Sequence, residues 1–189
     1  MKFAQLNRYS LGRAILVSLC TLLLAACASQ PVYRQSTAPL KTVASVDLQK
    51  YLGTWYEIYR LPNWFEDQDC LIVTANYSLR DDGHIQVINR CQKQHSLKEA
   101  KGIAKVVPGS QNAQLRVSFF RPFYGDYWII DLAPDYSWVL IGEPSGKFFW
   151  ILARQAQLPQ ALENDLLARA AALGYQKKDL IKPANRISP

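Results

Sequence analysis

Between residues 53 and 154, apolar residues recur at every second position, and turn-forming residues interrupt the pattern at short intervals. Such alternation is typical of β-strands with one buried face. Eight strands joined by connections of hairpin length favour an all-β, antiparallel up-and-down barrel, which can enclose one small ligand. The predicted strands are Gly53–Leu61, Ile72–Arg80, His84–Cys91, Gly102–Val107, Gln114–Phe119, Tyr127–Leu132, Tyr136–Gly142 and Phe148–Arg154.

After the last predicted strand, the apolar period changes to that of a helix. Pro159 suits the first helical position and Gly174 suits the C-terminal cap. We expect one amphipathic α-helix, followed by a short strand-like segment at 179–183, to pack on the outside of the barrel. Its apolar stripe consists of Leu162, Leu166, Leu167, Ala170 and Leu173.

Residues 1–26 have the layout of a secretory signal peptide. Three basic residues and no acidic one precede a short apolar run that starts at Ala14. A helix over 14–26 is about 20 Å long, which is too short to span a hydrocarbon core of about 30 Å.

The tetrapeptide Leu24-Ala25-Ala26-Cys27 resembles the lipobox of bacterial lipoproteins. The resemblance implies cleavage before Cys27 and attachment of lipid to its thiol, and Ala28 at the next position implies sorting to the outer membrane. The alternative is ordinary secretion, with no special role for Cys27. We expect a flexible tether over 27–45, since 28–45 is polar and lacks periodicity, and a barrel domain over 46–189.

Removal of residues 1–26 leaves 163 of the 189 residues and lowers the formal net charge from +7 to +4. This charge is scattered, which argues against a nucleic-acid partner. The two histidines, His84 and His95, have no nucleophile at a plausible spacing, and common catalytic motifs are missing from the sequence. A binding protein is therefore favoured over a hydrolase or isomerase, and a solid barrel that docks a protein partner is a third alternative.

Cys70 and Cys91 remain once Cys20 and Cys27 are accounted for. An even pair in an oxidising compartment predicts a disulfide, and the spacing and surroundings predict no metal site. A simple hairpin register misses direct pairing of the two residues by about three positions, so a bulge or a strong twist is expected between them.

Three separated pieces of sequence meet at one mouth of such a barrel. Gly53 and Trp55 open the first strand, Asp135 and Tyr136 precede the seventh, and Arg154 ends the eighth. The Arg154 guanidinium is expected to lie across the Trp55 indole, with donors left for backbone carbonyls.

These pieces resemble the lipocalin family over about residues 45–183. The G-x-W motif is Gly53-Thr54-Trp55, the T-D-Y motif is matched as Pro134-Asp135-Tyr136 with proline in place of threonine, and Arg154 matches the arginine after the barrel. The strings YLGTWYEI, TANYSLRDDG, VSFFRPFYGDYWI and WILAR are similar to those of bacterial outer-membrane lipocalins and apolipoprotein D-like relatives.

The resemblance implies one closed mouth, sealed by structural residues, and one open mouth that admits a ligand. Strand parity predicts that four pocket candidates face inward, namely Glu57, Tyr59, Phe148 and Trp150. The family match implies the same for Tyr77 and Asn89, and parity along their strands adds Ala75 and Val87.

The resemblance also implies storage or transport of fatty acids or lysophospholipids without a cofactor. It places the protein on the periplasmic face of the outer membrane, with homodimers possible. The aromatic string at 119–124 is either a loop packed on the barrel or an interaction surface.

Overall fold

The structure is a computed structural model that describes residues 30–186. In this part of the chain, eight antiparallel strands pair in sequential order and close into a barrel, as predicted. The predicted signal peptide and Cys27 lie outside the described residues. Residues 32–186 lie in one compact unit, and all eight strands of the closed barrel come from it.

The strands follow the predicted order, but three of their starting points differ from the predicted ones by two residues or more. They are β1 (Gly53–Arg60), β2 (Ile72–Leu79), β3 (Ile85–Gln92), β4 (Leu97–Val106), β5 (Gln114–Phe120), β6 (Phe123–Leu132), β7 (Trp138–Gly142) and β8 (Phe149–Ala153). β4 starts at Leu97 because residues 97–101 pair with β3 although both faces are largely exposed. β6 starts at Phe123, so the aromatic string forms a tight hairpin and not a loop. β7 starts later than predicted because Tyr136 has a φ of 60°, which belongs to a turn.

Within residues 30–186, two α-helices flank the barrel. α1 (Leu48–Tyr51) precedes β1, and α2 (Gln160–Ala172) follows β8 with Pro159 at its N-cap position. The apolar stripe of α2 packs against the outside of the barrel, as predicted. Ile181 forms a single antiparallel bridge with Arg60. Among residues 30–186, neither helix has the length and apolar character needed to cross a membrane.

The segment at 33–46, which belongs to the predicted flexible tether, lies along the barrel. The backbone N–H of Tyr33 donates to the Gly146 carbonyl at 2.9 Å. Leu40 and Val46 are buried, the first against the outer core and the second in the inner one. This segment is therefore not free, because it exchanges solvent contacts for hydrogen bonds and apolar burial on the barrel.

Cys70 and Cys91 form the predicted disulfide, with their Cα atoms 5.3 Å apart. The expected bulge is wrong, since β2 and β3 pair without a break from Ile72 to Leu79. Cys70 instead precedes β2, where the chain bends and the N–H of Leu71 donates to the Gln92 carbonyl. The bridge therefore ties the long β1–β2 loop to the end of β3.

Candidate ligand-binding site

One mouth of the barrel is closed by a stack of Trp55 and Arg154. The Arg154 guanidinium lies 3.7 Å from the centre of the indole, and Trp55 is fully buried. The guanidinium also donates to the carbonyls of Thr54, Lys50 and Leu52 at 2.8, 2.7 and 2.9 Å. One side chain thus joins α1, the start of β1 and the end of β8, which explains why this mouth is sealed.

The other predicted signature residues lie at the same mouth. Gly53 has a φ of 95°, a conformation that side chains disfavour. The Asp135 carboxylate accepts hydrogen bonds from the N–H and hydroxyl of Ser137, at 3.0 and 2.7 Å. The Tyr136 hydroxyl accepts the N–H of Asp47 at 2.8 Å. These residues hold the turns of the closed mouth together.

A β-bulge at Ile58 changes which side chains of β1 face the interior. Glu57 pairs with Leu152, but Tyr59 pairs with Ile151, so β1 contains one extra residue between them. A bulge of this kind shifts the alternation of the strand by one position. After it, Arg60 faces inward and Tyr59 faces outward.

The predicted pocket position of Tyr59 is therefore wrong. Its hydroxyl donates to Glu163 of α2 at 2.6 Å, and Lys182 contacts the same carboxylate. Burial and the Glu163 carboxylate both raise the pKa of Tyr59. Tyr59 fastens α2 and the C-terminal segment to the outside of the barrel.

Inside, Glu57 and Arg60 form a buried ion pair. Nη1 of Arg60 lies 2.7 Å from Oε1 of Glu57, and both side chains are almost fully excluded from solvent. Glu66, from the β1–β2 loop, approaches Nε of Arg60 at 3.5 Å. Burial and the Glu66 carboxylate raise the pKa of Glu57 well above its usual range, although Arg60 acts in the opposite direction. One guanidinium therefore serves two carboxyl groups.

Three tyrosines meet above the closed mouth. The Tyr127 hydroxyl lies 2.7 Å from that of Tyr51 and 2.9 Å from that of Tyr77. Burial raises the pKa of Tyr77 to about 12. Three hydroxyls that share two hydrogen bonds retain one O–H proton for a further acceptor. The predicted inward orientation of Tyr77 is thus observed, in a cluster that forms a polar floor.

Ala75, Val87 and Asn89 also face the interior, because they share the register of Tyr77 across β2 and β3. Oδ1 of Asn89 is buried and has no hydrogen-bond partner in the described chain. Gly125 shares the face of Tyr127 on β6, and a Cβ atom built on it would meet no atom within 4 Å. Gly125 is exposed near the start of β6, so the inner wall there borders space that is open to solvent, and the barrel is not packed solid at this level.

Aromatic rings surround the second, open mouth. Phe148 stacks on Trp150 with ring centres 6.1 Å apart, and Phe65 contacts both rings. The Trp150 indole N–H donates to Glu66 at 3.0 Å. This hydrogen bond connects the aromatic wall to the buried charges. Phe148 and Trp150 lie on the inner side of the barrel, as predicted.

Four residues of the interior were missed by sequence reasoning. Arg60 was hidden by the bulge, which has no local sequence signal, and Glu66 belongs to a loop without periodicity. Tyr127 lies in a predicted strand and could have been found by parity with Ile129, which is fully buried inside. Tyr51 was missed because α1 was not predicted.

Known proteins support this architecture. A family model described as a lipocalin-like domain matches residues 46–185. The outer membrane lipoprotein Blc of Vibrio cholerae is 36% identical over 172 residues, which cover 89% of this chain and 96% of that protein. Temperature-induced lipocalin-1 of Arabidopsis thaliana is 33% identical over 158 residues, covering 79% of this chain and 85% of that protein.

Among solved structures, insecticyanin from the tobacco hornworm Manduca sexta superposes with a TM-score of 0.63. The match covers 82% of this chain and 92% of that one at 20% identity, so the likeness concerns the fold alone. The family model spans the barrel, α2 and the closed mouth. The chain therefore belongs to the lipocalin-like family.

Proposed function

We propose that the barrel binds one single-chain lipid, a fatty acid or a lysophospholipid, and carries or stores it during maintenance of the cell envelope. The observation that carries this proposal is the open space at Gly125 between an aromatic mouth and a polar floor. Apolar walls with a few fixed polar groups are typical of sites for such ligands.

The polar groups of the interior suit a ligand with one polar end. Arg60 is the buried cation, the tyrosine floor retains one O–H donor, and Asn89 holds an unpartnered acceptor. An acyl chain along Ala75, Val87 and Trp150 would leave its head group near one of these positions.

A carrier is favoured over an enzyme by what surrounds the titratable groups. Glu57 is occupied by Arg60, and Cys70 and Cys91 are joined to each other. His84 contacts Asp82 in the exposed β2–β3 turn, at the closed mouth and far from the interior. These partners support structural roles for Glu57, Cys70, Cys91 and His84.

The pocket can be tested by filling it. Gly125→Leu places an apolar side chain in the open space without strained backbone, and we expect it to weaken binding of cis-parinaric acid by about tenfold, because the acyl chain loses its volume. The measurement is fluorescence titration, with lysophosphatidylethanolamine as competitor. The matched control is Ser78→Leu, which adds the same side chain on the outer face of β2. Equal affinity of both variants and the unchanged protein would refute an interior site.

We further propose that Cys27 carries lipid that holds the protein at the outer membrane, facing the periplasm. The named outer membrane lipoprotein of Vibrio cholerae, which matches along most of this chain, supports this location. Cys27→Ser is expected to abolish incorporation of radiolabelled palmitate, because the thiol is the attachment point. Cys20→Ser is the control and should keep the label. Labelled Cys27→Ser protein would contradict the anchor.

A further inference from the structure

Exposed apolar side chains are concentrated at the open mouth. Among residues 30–186, eight large hydrophobic residues have exposed side chains, and six of them belong to the loops and strand ends of this mouth. Trp64 is 82% exposed, and Phe120 and Phe123 are 75% and 70% exposed. Water-exposed aromatic groups gathered in one region mark an interaction surface. The six residues, which we call the aromatic rim, are Trp64, Phe65, Leu97, Phe119, Phe120 and Phe123.

The aromatic rim has two main contact points on opposite sides of the opening. Trp64 and Phe65 lie in the β1–β2 loop, while Phe120 and Phe123 stack at the tip of the β5–β6 hairpin. In a closed barrel of eight strands in sequential order, these connections are diametrically opposed. A flat partner that contacts both points must lie across the mouth itself.

The charges around the rim fit a surface that bears phosphate groups. Asp67 and Asp69 are both paired with Lys93, at 2.7 and 2.8 Å. The pKa of Asp67 is lowered to about 2, chiefly by hydrogen bonds from Lys93 and then Lys98. Arg121 lies between the exposed phenylalanines of the hairpin and has no ion-pair partner within residues 30–186. Aromatic rings beside an available guanidinium match the apolar and phosphate layers of a membrane interface.

The N-terminal segment leaves the barrel at the same mouth. Tyr33 and Arg34 both donate their backbone N–H to the carbonyl of Gly146, in the β7–β8 turn. The side chain of Arg34 fastens the segment further through a bond to the Leu173 carbonyl at 2.9 Å. Tyr33 is six positions after Cys27, and an extended chain of that length reaches at most about 20 Å. This step alone rests on the proposed lipid anchor.

We propose that the aromatic rim docks on a phospholipid bilayer, with the open mouth facing the lipid. Two opposed aromatic contacts orient the mouth parallel to the bilayer, and the fastened segment keeps it within reach of the anchoring membrane. A single-chain lipid then enters the barrel from the bilayer without crossing bulk water. The alternative is that a second copy of the chain binds the aromatic rim. Such a dimer would explain neither the unpaired Arg121 nor the departure of the N-terminal segment at this mouth.

The test uses residues 28–189 without lipid and vesicles made of equal parts of phosphatidylcholine and phosphatidylglycerol. Phe120→Ser combined with Phe123→Ser should weaken cosedimentation with the vesicles by about tenfold or more, since two rings lose their burial in lipid. Leu79→Ser is the matched control, because Leu79 is 53% exposed at the closed mouth; it should bind like the unchanged protein. Brominated phosphatidylcholine should quench tryptophan fluorescence, and Trp64→Phe should remove most of that quenching.

Several outcomes would overturn the proposal. One is equal vesicle binding by the rim and control variants, and another is quenching that persists in Trp64→Phe. A third is a dimer, seen by analytical ultracentrifugation, that the double variant dissociates while vesicles bind neither form. Binding of cis-parinaric acid in solution is measured in parallel on the unchanged protein. If the unchanged protein does not bind this fatty acid, while its vesicle binding is weakened in the double variant, the proposed function is refuted and the docking surface still stands.

Discussion

Arg154→Ala is expected to lower the free energy of unfolding by about 3 kcal/mol, which is a large effect for one partly exposed side chain. The variant loses the cation–π contact with Trp55 and leaves the carbonyls of Lys50, Thr54 and Leu52 without their donor. Chemical denaturation followed by circular dichroism measures the change.

Two controls show that the effect comes from the closed mouth. Arg90→Ala removes an exposed arginine paired with Glu99 and should change stability by less than about 1 kcal/mol. Arg154→Lys keeps the charge but loses the planar fork, and should lie between the two. Affinity for cis-parinaric acid should stay unchanged in all three, because Arg154 lies beyond the polar floor. A stable Arg154→Ala variant with impaired binding would contradict a structural role.

Arg60→Met is expected to lower the free energy of unfolding by about 3 to 5 kcal/mol near neutral pH. The substitution preserves apolar volume but leaves Glu57 and Glu66 buried without a cation. The loss should shrink at acidic pH, where Glu57 takes up a proton. Denaturation at several pH values checks this, and a loss that is independent of pH would show that the guanidinium acts by packing alone.

Glu57→Gln is the companion variant. We expect it to preserve the free energy of unfolding near neutral pH, whereas Arg60→Met lowers it. Because the folded chain holds the Glu57 proton at pH values where the unfolded chain, with a pKa near 4.5, has released it, unfolding releases a proton. The stability of the unchanged protein should therefore fall as pH rises above about 4.5 and level off above the folded pKa. Glu57→Gln should lack this component of the decline and be no less stable than the unchanged protein near neutral pH. A variant with an identical pH profile would show that Glu57 is ionised in the fold.

The sequence predicted the barrel because period-two alternation and turn residues directly report strands with one buried face. It also predicted the closed mouth, since Gly53, Trp55 and Arg154 have chemistry that suits one contact. It failed at Tyr59 because a bulge arises from the pairing of two strands and leaves no trace in either one. It also failed for the segment at 33–46, where backbone hydrogen bonds to Gly146 hold a chain whose side chains show no period.

The extra residue at Ile58 has a consequence for how this chain is aligned with its relatives. An alignment to a strand without the bulge that places the gap after Arg60, and not at Ile58, would assign Tyr59 to the lumen and Arg60 to the helix-facing wall, so inferences about ligand chemistry from those columns would be inverted. Deletion of Ile58 itself would leave Tyr59 outside and Arg60 inside, but a shift of the bulge to a position after Arg60 would exchange a charged lumen for a phenolic one without any substitution. A change in the position of this bulge is thus a short evolutionary route between barrels with different ligand preferences.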